Sequence, residues 1–399
     1  MLKVKLNEPP FKIKLDDYIF SIGSCFSDEV SKRLELSGLK ILSNPFGVLY
    51  NTFSILNTFQ RIIDKYIYKE KDINENNGIF FSYEHSGLFN SSDKNKTISS
   101  INKAVIKSFD FIRKAEVFII TLGTSAVYRL IDNDYIIANC HKQQLNSFKK
   151  DFLSVEFNTL CLNSMIRLIL SINQKSKIIL TLSPVRHLKN DLTINCISKS
   201  VLRVAIENVI DNKNIFYFPS YEIVYDELRN YSFYKRDHVH LKDKAIDVIY
   251  KKFTNIFFNS ELIIFTEKLN KLELNLNHKP FKKRSANYFD FLKRTYFELY
   301  DLYKINSSSA VQINILRCLI KIFINFYQNT ETGLFFKENL VEFEYKYFFI
   351  DAFDFFNKRR FSEKYPDNLK PSENDIKLIK CFKKKLFNYY IFQKYKGKV

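Results

Sequence analysis

The chain has 399 residues, of which 46% are hydrophobic, so it is long enough for two domains with sizeable cores. Its formal net charge of +19 accompanies no recognisable RNA- or DNA-binding motif, which disfavours nucleic acid as a partner. No apolar run approaches the roughly 18–20 residues of a membrane span, and the N-terminus lacks the apolar core of a secretory signal; we therefore expect no transmembrane segment and a cytoplasmic location.

Short apolar runs alternate with helical periodicity in the first part of the chain. Strands are predicted at residues 18–22, 116–122, 177–182 and 214–218, each ending at a turn-forming or polar residue. Residues 152–172 repeat apolar side chains at helical spacing. Continuous apolar strands that alternate with helices predict an α/β fold, a three-layer α/β/α sandwich around a buried parallel sheet.

The character of the sequence changes after about residue 258. Residues 280–284 are typical of a basic linker, and later segments such as 313–327 carry Phe, Tyr, Leu and Ile at helical spacing. We therefore predict a catalytic domain at residues 1–258 and a basic, aromatic-rich helical C-terminal domain at residues 259–399. The second domain carries no functional motif.

The turn after the first predicted strand places two nucleophile-grade side chains next to each other. Ser24 and Cys25 follow Gly23, and a helix is predicted to begin near Ser27. The free N–H groups and the dipole at such a helix start favour a lowered thiol pKa and can hold a developing oxyanion. Either side chain is a candidate nucleophile, and the alternative is a purely structural pair.

The chain has six histidines that could act as the base for this nucleophile. Asp237 and His240 stand three residues apart before a predicted helix at 242–253, so the carboxylate can orient the imidazole. His238 is predicted to project elsewhere, and two surface histidines in a polar turn are the alternative. The six cysteines show no metal-ligand or disulfide spacing, so we expect no metal site.

Several blocks of the sequence carry a resemblance to a known family. The stretch GSCFS at 23–27 followed by NPFGVLYN at 44–51 resembles the GSCFA family, a branch of the SGNH/GDSL hydrolase-like superfamily. Further blocks that fit, in order, are TLGT at 121–124, NCHK at 139–142, SPVRH at 183–187, YFPSYEI at 217–223 and DHVH at 237–240. The resemblance spans roughly residues 15 to 250.

The resemblance implies roles for individual residues. By register with the Gly-Asp-Ser block of the superfamily, Cys25 takes the place of the nucleophile, and Ser24 would take it if the register slipped by one. His240 would be the base and Asp237 its orienting carboxylate. Backbone or side-chain groups of the second and third blocks would form the oxyanion hole, namely Gly47, Asn51 and Ser125.

The third block departs from the superfamily pattern, because Gly123-Thr124-Ser125 lacks the expected asparagine. Asn51, Asn139 or His141 could take over its role. The remaining polar residues at the expected substrate side are Asn139, His141, Arg186 and His187.

Together these features predict an enzyme that hydrolyses or transfers an acyl group, with an acylated carbohydrate as substrate. Hydrolysis needs no cofactor, whereas transfer needs an acyl donor such as acyl-CoA. A non-catalytic module that binds a glycan or a protein on a degenerate SGNH scaffold is the alternative.

Overall fold

Ten strands and nine helices form in the residues that the computed structural model describes, which are 3–187, 191–278, 286–306 and isolated positions up to 318. The strands are β1 Tyr18–Gly23, β2 Lys40–Ser43, β3 Asn74–Asn76, β4 Ile79–Phe81, β5 Ala115–Leu122, β6 Ala126–Leu130, β7 Ile136–Ile137, β8 Phe148–Phe152, β9 Lys177–Leu182 and β10 Ile215–Phe218. The helices are α1 Cys25–Leu36, α2 Thr52–Ile63, α3 Lys94–Ile112, α4 Val155–Ile172, α5 Leu192–Glu207, α6 Ser220–Glu222, α7 Asp243–Phe257, α8 Ser260–Asn277 and α9 Ala286–Ile305.

Five strands form a parallel central sheet in the order β10-β9-β5-β1-β2. Counted along the chain this is the order 2-1-3-4-5, one of the two common orders of doubly wound sheets. The four predicted strands are confirmed with shifts of a single residue at their ends. The fifth strand, β2, was not predicted. It is an edge strand of only four residues, of which two are apolar and two are polar.

Helices cover both faces of this sheet. On one face Phe20, Phe118 and Leu180 belong to a core shared with α2, α3, α4 and α5. On the other face, side chains of β1, β5 and β9 line a small internal cavity together with Phe26 of α1 and Phe253 of α7. The arrangement is consistent with the predicted three-layer sandwich, because each strand buries side chains against helices on either side.

Local sequence signals explain where the helices begin. Asn51 caps α2 by accepting from Ser54 N–H at 2.8 Å, and Ser154 caps α4 by accepting from Phe157 N–H at 3.2 Å. The second cap places the start of α4 three residues after the predicted start at 152. The helix predicted at 242–253 is α7 and extends to Phe257.

Two small antiparallel sheets, β3-β4 and β7-β6-β8, were not predicted, because their strands are short and rich in polar residues. Inter-residue contacts divide the chain into two compact units, Met1–Ile264 and Phe265–Val399. The domain boundary predicted between residues 258 and 259 stays a prediction. The predicted linker at 280–284, and all but isolated positions of the helical segment predicted at 313–327, lie outside the described residues.

Among the described helices, α4 alone is long and apolar enough to cross a membrane by length and composition. Its apolar face is used inside the protein, since Leu162, Met165 and Ile169 are fully buried in the core on one side of the sheet.

Candidate functional site

The candidate site lies where two neighbouring strands send the chain to opposite faces of the sheet. Strand β1 leads into α1 on one face, whereas the connection after β5 leads through the small β6-β8 sheet to α4 on the other. A crevice forms at the carboxyl ends of the strands at such a switch point, and ligands of open α/β sheets bind there. Gly23-Ser24-Cys25 and Gly123-Thr124-Ser125 flank this point.

The turn after β1 is built around Gly23, whose φ is +141°. A Cβ atom at this position would lie 2.0 Å from the carbonyl oxygen of Thr121, so a side chain has no room. The Gly23 N–H donates to Asn44 Oδ1 at 2.7 Å, and the Ser24 N–H donates to the Thr121 carbonyl at 3.1 Å. The backbones of β1 and β5 therefore remain hydrogen-bonded to each other as far as Ser24.

The two candidate nucleophiles differ sharply in accessibility. Ser24 is 1% exposed, and its buried hydroxyl has no hydrogen-bond partner in the described structure. It occupies the position before α1 without capping the helix through its side chain. Cys25 is the first residue of α1 and is half-buried. Cys25 is thus the candidate that a substrate could reach.

The electrostatic surroundings of Cys25 differ from the expectation. Burial and the neighbouring carboxylate of Asp28 raise the thiol pKa, although the N–H groups of Cys25 and Phe26 act in the opposite direction. The prediction of a lowered pKa is therefore wrong. Desolvation of the thiol is the largest effect and outweighs the helix N-terminus. Asp28, one turn along α1, adds a charge that repels a thiolate.

Asp237 and His240 form the predicted pair. His240 Nδ1 lies 2.7 Å from Asp237 Oδ2, and the other oxygen of Asp237 accepts from the N–H groups of Val239 and His240. These bonds lower the pKa of Asp237, the bond to the imidazole being the largest cause. The His240 side chain is 48% exposed, and no hydrogen bond to its Nε2 is found in the described residues.

Arg186 braces the loop that carries this pair. Its guanidinium donates to the His238 carbonyl at 3.0 Å, and its backbone N–H donates to the Val239 carbonyl at 3.4 Å. The same guanidinium lies over the rings of Tyr234 and Tyr231, 4.5 and 5.3 Å from their centroids. Arg186 therefore holds the histidine loop against the end of β9. The sequence predicted a substrate contact for Arg186 and did not indicate this structural role.

The nucleophile and the base are not hydrogen-bonded to each other. Across the part of the chain that the structure describes, no hydrogen bond joins Cys25 Sγ or Ser24 Oγ to His240. Catalytic hydrogen bonds are often long in ligand-free sites and tighten when substrate binds.

Two of the three predicted oxyanion groups are already engaged. The Gly47 N–H donates to the Asn44 carbonyl at 2.8 Å inside a turn. The Ser125 N–H and hydroxyl both donate to Ser198 Oγ, at 2.8 and 3.2 Å. Asn51 uses its side-chain oxygen as the cap of α2. The assignment of Gly47, Asn51 and Ser125 to an oxyanion hole stays a prediction, and the Gly47 N–H and the Ser125 groups would have to exchange these partners for an oxyanion.

Asn139 and His141 belong to a second polar cluster, around Ser82. His141 Nε2 lies 2.9 Å from the Ser82 carbonyl, its ring stacks on Phe81, and its backbone N–H donates to Asn139 Oδ1. Burial lowers the pKa of His141. His85 makes the matching contact to the Ser82 hydroxyl at 3.1 Å. No hydrogen bond of the described residues connects this cluster to Cys25 or His240.

Next to His85, Glu84 forms the centre of a buried network. It accepts two hydrogen bonds from Arg61, at 2.6 and 3.0 Å, one from Tyr135 at 2.8 Å and a short one from Tyr68. Two residues on, the Ser86 N–H donates to the Phe46 carbonyl at 2.9 Å. The segment that carries this network is therefore joined to the 44–51 block through Phe46.

The structure adds one residue that the sequence did not suggest. Lys199 of α5 is 2% exposed and lies at the edge of the sheet where His187 also lies. Burial lowers its pKa to about 7, while the charge of Cys25 acts in the opposite direction. Burial and the charge of Lys199 lower the pKa of His187 to about 4.

A signal for Lys199 exists in the sequence, because it shares a helix face with Asn195, Leu202 and Ile206 at helical spacing. A lysine at a position of a buried helix face is unusual, because lysine is almost never fully buried without a partner.

No group of three or more His, Cys, Asp or Glu side chains within the described residues could hold a metal ion. A family model described as the GSCFA family matches residues 18–253, which is more than half of the chain. No curated protein matches the chain.

Proposed function

The chain belongs to the GSCFA family, and on that premise we propose that it hydrolyses or transfers an ester-linked acyl group, with Cys25, His240 and Asp237 as its catalytic residues. The observation that carries the proposal is the Asp237–His240 pair, joined at 2.7 Å. Its loop is braced against the end of β9, one of the strands whose carboxyl ends border the switch point where Cys25 begins α1.

In the proposed reaction Cys25 Sγ attacks the carbonyl carbon of the ester, and His240 Nε2 takes the thiol proton. The same imidazole then gives that proton to the leaving sugar hydroxyl, which leaves a thioester on Cys25. Water, or the hydroxyl of an acceptor, attacks the thioester while His240 again removes a proton. The C–S bond then breaks, the acid or the new ester leaves, and His240 returns the proton to Cys25 Sγ. The carboxylate of Asp237 holds the imidazole in the required tautomer through Nδ1.

Cys25 is preferred over Ser24 as nucleophile on two grounds. The Ser24 side chain is only 1% exposed, whereas Cys25 is half-buried and within reach of a substrate. The N–H groups of Cys25 and Phe26 face the thiol and favour its charged form. The same two donors are the proposed oxyanion stabilisers, in place of Gly47 and Ser125.

We propose an acylated carbohydrate as the substrate, on the basis of the family resemblance and of aromatic rings beside the histidine loop. Tyr231 is 56% exposed and its ring packs against that of His238 at 5.3 Å. Tyr225 is also exposed and stacks on Tyr221. Exposed rings with a polar end offer apolar faces to a sugar. No cofactor is needed for hydrolysis, and acyl-CoA is the proposed donor for transfer.

Placement in the SGNH/GDSL superfamily is part of the proposal. It is supported by the parallel sheet order, by the nucleophile candidate after β1 and by the Asp-x-x-His spacing before α7. The cytoplasmic location stays a prediction.

A non-catalytic glycan-binding module is the second candidate. It is favoured by the engaged Gly47 N–H and Ser125 groups, and by the lack of a hydrogen bond from His240 to either nucleophile candidate in the described residues.

The deciding experiment is a screen of the full chain against aryl acetates and acetylated sugars, with and without acetyl-CoA. We expect Cys25→Ala to abolish turnover and His240→Ala to lower kcat/KM by about 10²–10⁴-fold, the usual cost of losing a general base. His278→Ala is the control, because His278 lies outside the family match, and kcat/KM is expected to stay within about twofold. Binding of acetylated sugars without turnover in any condition would favour the binding module instead.

A further inference from the structure

Lys199 is a buried cation at the carboxyl edge of the sheet. Its Nζ donates to the carbonyl of Gly123 at 2.7 Å and to the carbonyl of Ser183 at 2.6 Å. Gly123 is the first residue after β5, and Ser183 is the first residue after β9. The ammonium group therefore bridges the ends of two neighbouring strands directly beside the candidate site.

Neither acceptor of Lys199 carries a charge. None of the ion pairs found in the described residues includes Lys199, so no carboxylate balances its charge there. Burying an ammonium group without a counter-ion is expensive, and a protein usually removes the cost by losing the proton. The lowered pKa of Lys199, about 7, is the expected response to this burial.

The backbone register places Cys25 on the same side. Gly23 is paired with Thr121, and the Ser24 N–H donates to the Thr121 carbonyl at 3.1 Å. Cys25 and Gly123 each stand two residues beyond that pair, and Gly123 holds the ammonium group. In agreement with this placement, the charge of Cys25 raises the pKa of Lys199.

Other titratable groups face the two partners from the surrounding elements. Lys199 faces His187 and lies 5.9 Å from the centroid of the Tyr221 ring. Cys25 faces Tyr50 and the carboxylates of Asp28 and Glu29. The carboxylates repel a thiolate, whereas a protonated Lys199 would attract it.

We propose that Lys199 is the buried counter-cation of the Cys25 thiolate, a positioning residue that stabilises the charged form of the nucleophile inside a partly buried site. The inference rests on the proposed function in one respect, that Cys25 is the nucleophile. The neutral thiol–amine pair and the thiolate–ammonium pair differ only in which partner holds one proton, so a proton transfer from Cys25 to Lys199 forms the nucleophile without a change in net charge.

The test is the pH dependence of Cys25 alkylation by iodoacetamide in the full chain, followed peptide by peptide, since Cys196 is also exposed. In Lys199→Met we expect the inflection of the Cys25 profile to move up by about one pH unit, and the rate at pH 8 to fall about tenfold. Arg203→Met is the matched control, because it removes a cation one turn further along α5, and we expect it to leave the profile unchanged.

An inflection in Lys199→Met that coincides with that of the unmodified chain would overturn the inference. If Lys199→Met does not fold, the reciprocal measurement replaces it, since coupling between two sites is mutual. The pKa of Lys199, followed by NMR in a chain with labelled lysines, should fall in Cys25→Ser, and an unchanged value would overturn the inference. Both measurements need no substrate, so their results do not depend on the outcome of the activity screen.

Discussion

Replacing Glu84 by glutamine keeps the shape of a buried side chain but removes the negative charge that its donors share. The two oxygens accept from Arg61, Tyr68 and Tyr135. The glutamine has only one acceptor oxygen, and its NH₂ group would face the donors of Arg61. The variant therefore loses the charge-assisted bonds and leaves the guanidinium without its counter-ion.

The size of the effect follows from the pKa of Glu84, which this environment lowers from 4.5 to about 2. One pKa unit corresponds to 1.36 kcal/mol, so the charged network contributes about 3 kcal/mol to the free energy of unfolding at neutral pH. Because the pKa is lower in the folded state, this contribution is complete above pH 4.5. It is lost as the pH falls from 4.5 towards 2.

The assay is urea unfolding followed by circular dichroism at pH 7 and at about pH 3. We expect Glu84→Gln to lower the free energy of unfolding by about 3 kcal/mol at pH 7, and by less than half of that at pH 3. The control is Glu207→Gln, which removes an exposed partner of Arg203 and should cost less than about 1 kcal/mol. A loss below about 1 kcal/mol at pH 7, or an equal loss at both pH values, would refute the reasoning.

Three further predictions concern the site. Gly23→Ala should lower the free energy of unfolding by more than about 3 kcal/mol in the same urea assay, because its Cβ would lie 2.0 Å from the Thr121 carbonyl oxygen. Gly78→Ala, with φ of +75° but open space, is its control and should cost only about 1 kcal/mol. Asn51→Ala should cost about 1 kcal/mol in unfolding measurements, since it removes the cap of α2. Asp237→Asn should lower kcat/KM for an aryl acetate by at least about 10²-fold, and an unchanged value would remove the pair from the mechanism.

The central sheet could be predicted because its strands carry their own signal. β5 and β9 are buried on both faces, so most of their residues are apolar and the two strands can be recognised from local sequence alone. β2 lies at the sheet edge, and only Leu42 of its four residues is buried, so the sequence shows no clear strand pattern there. Its place was set by pairing with β1, a contact that local sequence does not encode.

The site was predicted in part, for a similar reason. The Asp237–His240 pair lies within one short loop, so spacing alone brought it together. The engagement of Ser125 by Ser198 and the approach of Lys199 to Gly123 depend on how α5 packs against the sheet. The pKa of Cys25 also depends on burial, which the helix start could not indicate.

The central claim, that Cys25 is an acyl-accepting nucleophile, is tested most directly by trapping the acyl group. His240→Ala should slow removal of the acyl group as well as its transfer, so incubation with an excess of aryl acetate allows a covalent adduct to accumulate. Digestion and mass spectrometry of the peptide that contains Ser24 and Cys25 then locate the acetyl group. We expect a thioester on Cys25 that hydroxylamine removes and that is absent from Cys25→Ala. An acetyl group on Ser24, or an unmodified peptide in a chain that still turns over the ester, would contradict the account.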